Sequence, residues 1–254
     1  MRLWGSWLLC VFYGLFYLLF ATYLRHVLLG DKVQLKNTAS TYFSILKAEL
    51  KQAFIDEYLT VDISAKVKGI TNIETPRVAL TMNEVQMLVD TPCKDDVLKR
   101  AFLFSILTGL RHSDIQTLKW KQIQQTSKGT WQAVVIQQKT KRPDYKPVTQ
   151  QALQLCGIRP DDDEALVFEG LTDASWISRP LKVWIEASGI KKHITFHCGR
   201  HSYASLLLEN GVDIYTIKSL MGHTNVKTTQ IYTHIVNEQK EKAANTLHID
   251  NLDL

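Results

Sequence analysis

Between Val97 and Leu110 the chain reads VLKRAFLFSILTGL, a near-continuously apolar, helix-forming run whose only charged residues are Lys99 and Arg100 at its start. A helix with almost no polar face has to be surrounded by other elements, so this segment is expected at the centre of a globular domain. The end of the run is also marked. Gly109 suits a left-handed helix cap, and Arg111, His112 and Asp114 follow within a few residues. At 254 residues, with 45% hydrophobic and 22% charged side chains, the chain has enough apolar material to enclose such a helix.

Flanking segments supply the enclosure. Thr81-Met82-Asn83-Glu84 has the form of a capping box before Val85, Leu88 and Val89, so a helix is expected to begin near residue 82. Another, from about Ser113-Asp114, carries Ile115, Leu118 and Trp120 inward. Trp131 to Lys139 (WQAVVIQQK) is rich in β-branched residues and is followed by Thr140-Lys141-Arg142-Pro143-Asp144 and then Lys146-Pro147-Val148, the pattern of a β-hairpin with a basic turn. On their own, Lys139, Lys141 and Arg142 there would merely keep a small sheet edge soluble and unpaired. Helices are expected at about residues 149 to 156 and at Ser178 to Ala187, with Pro180 near the start of the latter. The fold class is therefore mainly α with a small antiparallel β-sheet (α+β).

The N-terminal part has a different character. Asn37 to Tyr58 places Tyr42, Phe43, Ile45, Leu46, Leu50, Phe54 and Ile55 at helical steps after Asn37 or Thr38 as a cap. Lys36, Lys47 and Lys51 fall on its polar flank, as a solvated face or as phosphate contacts. Periodicity is lost afterwards, and the Thr75-Pro76-Arg77 turn marks a linker, dividing a helical domain at 1–75 from a larger one at 80–254. Residues 3–24 carry no charge and are flanked by Arg2 and by Arg25 with His26. This stretch is long enough to span a membrane, and the competing reading is an apolar helix of the small N-terminal domain. No convincing cleavage site follows it. The four cysteines lack CxxC spacing, which fits reduced thiols in the cytoplasm.

The densest chemistry lies in Phe196 to His234, FHCGRHSYASLLLENGVDIYTIKSLMGHTNVKTTQIYTH. His197 with Arg200, and His223 with Tyr232, form two polar clusters separated by a helical spacer rich in Leu and Ile. His193, His197 and His201 have a spacing that can serve zinc, but no acidic or second cysteine ligand accompanies them. Ala204 to Ile217, with Gly211 in its turn, has the form of a helix-turn-helix. The net charge of +5 adds a mild bias towards an anionic partner.

Taken in order, Thr108-Gly109-Leu110-Arg111, a hairpin ending in Lys139, His197-Cys198-Gly199-Arg200, Leu220-Met221-Gly222-His223 and Thr229-Gln230-Ile231-Tyr232 resemble the tyrosine recombinase (phage integrase) family, especially integrases of mobile elements. The likeness covers nearly all of residues 80 to 240, and more weakly 37 to 75 as a core-binding domain. The resemblance implies a site-specific DNA recombinase with catalytic residues Arg111, Lys139, His197, Arg200, His223 and Tyr232. Tyr232 would attack phosphorus to form a 3′-phosphotyrosyl link, His197 would take its proton, His223 would donate a hydrogen bond in the transition state, and Lys139 would protonate the leaving 5′-oxygen. Lys141 is the alternative to Lys139 if the hairpin register shifts by two residues.

The chemistry of these groups agrees. Charge building on the non-bridging oxygens needs fixed donors, and guanidinium forks such as Arg111 and Arg200 supply paired ones. DNA contacts are expected from Lys141, Arg142, Lys47 and Lys51, with no cofactor or metal. The family further implies double-stranded DNA with paired sites as partner, and a homotetramer on it, in the cytoplasm rather than at a membrane. Gly199 stands where the family commonly has a bulky apolar residue, which is expected to loosen the helix start. A non-enzymatic helix-turn-helix regulator and a type IB topoisomerase-like enzyme are the alternatives.

Overall fold

In the computed structural model the described residues are 33–73, 77–136, 142–223, 225–230 and 232. The apolar segment 3–24, Lys139, Lys141 and the C-terminal tail lie outside them. No helix among the described residues is long and apolar enough to cross a membrane. The backbone divides into two compact units, Met1–Thr75 and Pro76–Leu254.

In the first unit, helix α1 (Val33–Ile55) packs on the short α2 (Ile63–Lys66). Ala39, Phe43 and Leu50 are its buried face, whereas Tyr42, Ile45, Phe54 and Ile55 stay exposed, so the inward stripe is narrower than the apolar pattern suggested. The helix begins before Asn37, and Asn37 does not cap it. Its side-chain amide instead brackets the backbone of Ile73, donating to the carbonyl at 2.9 Å and accepting from the N–H at 2.8 Å. Lys47 donates to the Val67 carbonyl at 2.7 Å and Lys51 lies 3.8 Å from Asp62.

The second unit is built around α4 (Asp96–Thr108), whose Leu98, Ala101, Phe102, Leu103, Phe104 and Ile106 are all buried. Asp95 caps its start by accepting from Leu98 N–H, and Gly109 ends it with φ of 69°. That helix is the enclosed centre its sequence calls for. Around it stand α3 (Met82–Asp90), opened by the Thr81/Glu84 capping box, α5 (His112–Gln116), α6 (Gln150–Cys156), α7 (Ala174–Ala187) and α8 (Phe196–Glu209). α7 starts four residues before the expected Ser178, which puts Pro180 inside the helix. The absent N–H there would have paired with the carbonyl of Trp176, an exposed residue whose carbonyl lies in the helix's first turn. Helix α9 (Ile214–Leu220) and α10 (Lys227–Gln230) complete the order.

Three antiparallel strands, β1 (Ile123–Gln125), β2 (Trp131–Ile136) and β3 (Pro143–Val148), pair in sequence order. β1 adds a strand to the expected hairpin, and Trp131↔Val148, Ala133↔Lys146 and Val135↔Asp144 define the β2–β3 register. β3 turns Asp144, Lys146 and Val148 to one face and Pro143, Tyr145 and Pro147 to the other, as strand alternation requires.

Gly199 has a packing reason that the sequence did not disclose. A Cβ at this position would lie 3.1 Å from Ser105 Oγ and 3.3 Å from Phe102 Cε2. The glycine leaves room for the close approach of α8 to α4, and a side chain there would require Ser105 and Phe102 to give way by a few tenths of an ångström.

Candidate active site

Helix α8 turns Arg200, His201 and Ser202 into the interior of the second unit, and each meets a different part of the chain. Arg200 is 2% exposed. Its guanidinium donates to the Gly109 carbonyl at 2.5 Å and, through its other terminal nitrogen, to the Met221 carbonyl. The left-handed cap of α4 and the turn after α9 are thus joined through one side chain. Burial and the neighbouring charge of Arg111 lower the Arg200 pKa to about 10, which leaves it cationic at neutral pH.

Arg111 follows Gly109 by two residues and sits at the start of α5. Its backbone N–H donates to Asp114 Oδ2 at 3.2 Å, and its guanidinium lies 3.8 Å from the same carboxylate. With 46% of its side chain exposed, Arg111 keeps donors open to an incoming anion. Nearby, the His112 ring stacks edge-on to Phe196 and contacts the Thr172 carbonyl at 3.0 Å, which makes it part of the scaffold.

Tyr232 is 2% exposed, and its hydroxyl lies 2.5 Å from Nδ1 of His201. The ring packs with Ala204, Leu208, Ile217 and Met221. Burial pushes its pKa up to about 12 against the lowering pull of Arg200 and Arg77. His201, held near 3 by burial and by His197, Arg77, Arg200 and His223, is neutral. A neutral imidazole therefore holds a neutral phenol. His197 stands one turn before His201, with ring centroids 4.6 Å apart and edge to face. Its outer surface is open, yet partial enclosure, followed by Arg200, Arg111 and Arg77, lowers its pKa as well.

His223 follows the α9 turn, where Gly222 takes φ of 61°. The His223 N–H donates to the Lys218 carbonyl at 3.0 Å, and Nδ1 lies 3.0 Å from Thr229 Oγ1. Burial, then Arg200, Arg111, Lys146 and His197, bring its pKa to about 4. The expected residues Arg111, His197, Arg200, His223 and Tyr232 thus share one electrostatic neighbourhood. Arg142 is exposed beside β3. Lys47 and Lys51 belong to the first unit, with the contacts already given.

Three residues that sequence reasoning left out belong to this neighbourhood. His201 belongs to the histidine series of the sequence, and its place four residues after His197 puts both rings on one helix face. Arg77 lies in the linker turn, yet its charge reaches His197, His201 and Tyr232. The chain after it is fixed to α8, since the buried Leu80 N–H donates to Ser202 Oγ at 2.8 Å. Lys146, 2% exposed, pairs with Asp144 at 2.7 Å and donates to the Leu220 carbonyl at 2.5 Å. Its signal was the alternation of β3, which places it on the same face as Val148.

The donor set suits an oxyanion more than a metal. Two guanidinium groups and several imidazoles surround a hydroxyl, and no cluster of three or more metal-competent side chains occurs among the described residues. Such a group can stabilise a phosphate undergoing substitution and present an oxygen nucleophile to it.

Comparison with known proteins places this geometry in context. Residues 79–239 match the model of the phage integrase family. The tyrosine recombinase XerD of Lacticaseibacillus casei is 30% identical over 211 residues, covering 71% of this chain and 68% of that protein. The XerD of Listeria monocytogenes serotype 4b is 32% identical, covering 74% and 69%. Among solved structures, the XerH site-specific recombinase bound to a palindromic difH substrate, a post-cleavage complex, superposes with a TM-score of 0.70 at 17% identity, over 90% of this chain and 71% of that one. A lambda integrase (75-356) dimer bound to a COC′ core site gives 0.65 at 19% identity, over 92% and 82%. At these identities the structural matches speak for the fold.

Proposed function

Because the chain belongs to the phage integrase family, we propose that it is a site-specific DNA recombinase whose nucleophile is Tyr232 and whose phosphate clamp is Arg111 with Arg200. The observation that carries the reading is the contact of the Tyr232 hydroxyl with α8, the helix that also bears His197 and Arg200. A tyrosine 32 residues downstream of Arg200 is thereby brought into its field, and Arg200 in turn feels the charge of Arg111.

In the proposed step the Tyr232 oxygen bonds to phosphorus as the bond to the 5′-oxygen breaks. The products are a 3′-phosphotyrosyl ester and a 5′-hydroxyl. His197 takes the phenolic proton, Lys139 supplies one to the leaving oxygen, and His223 donates to a non-bridging oxygen. The arginine charges that depress the histidine pKa values are partly neutralised once a phosphate sits between them, so the imidazoles become better bases when substrate arrives. Tyr232 must also leave the His201 contact to reach phosphorus, which makes the buried arrangement a resting one.

The ester preserves the free energy of the phosphodiester, so a 5′-hydroxyl can reseal the strand without ATP. The partner is double-stranded DNA with paired recombination sites, bound by a homotetramer in the cytoplasm. Unit 1–75 serves as core-binding domain, and Lys47, Lys51, Lys141 and Arg142 contact DNA. A helix-turn-helix regulator explains neither the open Arg111 nor a buried tyrosine among histidines, and a topoisomerase-like enzyme would reseal one duplex without exchange between two sites. The test is a nicked suicide duplex. The wild-type chain should yield a denaturation-resistant protein–DNA adduct and Tyr232→Phe none; undiminished adduct in that variant would refute the assignment.

A further inference from the structure

We infer that Lys146, held by Asp144, is a positioning residue for the turn that carries His223, an inference that rests on the recombinase reading. Lys146 occupies an inward position of β3 where the cross-strand partner is Ala133 and the next residue on the same face is Val148. An apolar side chain would satisfy that place by packing alone. A lysine there must shed its water, and burial indeed lowers its pKa. What it gains is directional: one bond to Asp144 Oδ2 at 2.7 Å and one to the Leu220 carbonyl at 2.5 Å.

The Leu220 contact shows what that cation does. Leu220 is the last residue of α9, and the next carbonyl, that of Met221, accepts from Arg200. Two consecutive carbonyls are therefore held by two buried cations that arrive from different places, one from the sheet and one from α8. Between them they fix the backbone immediately before Gly222 and His223. The main chain of this turn is otherwise tied mainly to its own helix, through Met221 N–H to Ile217 and His223 N–H to Lys218. Lys146 supplies its anchor to the sheet. β3 follows Lys139 in the sequence, and this contact ties that strand to the turn bearing His223. Lys146 donates to protein groups rather than to the reacting atoms, so its effect is exerted through the loop.

The experiment is single-turnover adduct formation by the full chain on the nicked suicide duplex. The variant is Asp144→Asn/Lys146→Met, which removes the cation without stranding a buried carboxylate. It is compared with wild type, with His223→Ala, and with the combination of all three changes. Displacement of a catalytic group by about 1 Å can cost roughly 100-fold, so the adduct rate should fall about 10- to 100-fold, with duplex affinity within about twofold of wild type. In the His223→Ala background the same pair of changes should alter the rate less than about threefold, because coupled residues do not add. A wild-type adduct rate in the variant overturns the inference, and so does an equal loss in the His223→Ala background. Should the double variant fail to fold, Lys146→Arg replaces it. That change retains the charge while moving the donors, and it is judged by the same two readings. Absence of adduct from the wild-type chain would refute the recombinase reading itself, which separates the two failures.

Discussion

The hydroxyl of Tyr232 meets Nδ1 of His201, not His197, at 2.5 Å. Both histidines stand on α8 one turn apart, and their rings touch, so the phenol is parked one residue-turn away from the base assigned to it. Replacing His201 by Leu would strand a buried hydroxyl, and an unsatisfied buried polar group costs about 1–3 kcal/mol. Denaturant unfolding should show that loss for His201→Leu and a smaller one for His197→Leu, whose ring faces solvent. Equal losses would place the resting contact elsewhere.

Acid should destabilise the larger unit through the same cluster. His201 and His223 have folded pKa values of about 3 and about 4, against an ordinary 6.5, with burial the leading cause. For groups whose pKa is depressed by folding, the unfolded chain binds the extra protons first. Their contribution is therefore complete above about pH 6.5 and is lost progressively as pH falls towards 4 and 3. Thermal unfolding of the DNA-free protein should drop by several degrees between pH 7.5 and pH 5, with a shallower slope in His223→Gln; a flat profile would show that these imidazoles are not buried in the neutral form.

Arg200 and Arg111 should fail in different ways. Arg200 is a buried fork between two backbone carbonyls, and lysine, a point donor, cannot reproduce that geometry. Arg200→Lys is expected to lower adduct formation at least about 100-fold and also to reduce thermal stability. Arg111 is half exposed and only loosely paired, and such pairs contribute about 0–1 kcal/mol. Arg111→Ala should therefore lose a comparable factor in adduct rate with little change in unfolding temperature.

Gly199→Leu tests packing. The Cβ alone would meet Ser105 and Phe102 at 3.1–3.3 Å, and overpacking of this kind costs about 1–3 kcal/mol. The variant should unfold at lower denaturant than the wild type and should not gain activity.

The readability of this chain followed the range of the interactions involved. Local signals were plain: the Thr81/Glu84 capping box, the Gly109 cap and the apolar run of α4 all act within a few residues and recur in the structure. Family order singled out Arg111, Lys139, His197, Arg200, His223 and Tyr232, of which Lys139 lies outside the described residues. What escaped depended on partners far away in the chain. Asn37 resembles a helix cap until Ile73 takes its side chain, and Gly199 resembles a weak helix start until α4 is laid against it. Arg77 and Lys146 look like linker and strand surface, because their partners lie more than 70 residues downstream.

Gly109 has a consequence for anyone who would re-engineer this enzyme. Its carbonyl receives Arg200, its left-handed turn leads straight to Arg111, and the Tyr203 ring lies where a Cβ would be, 2.5 Å away. The spacing of the two guanidinium groups is thus set by main-chain geometry at one residue without a side chain. Surfaces proposed to touch DNA can be rewritten one side chain at a time to redirect target choice, but a change in the length or handedness of this turn would move Arg111 and Arg200, the two halves of the proposed clamp, together, and no substitution at either arginine would bring them back.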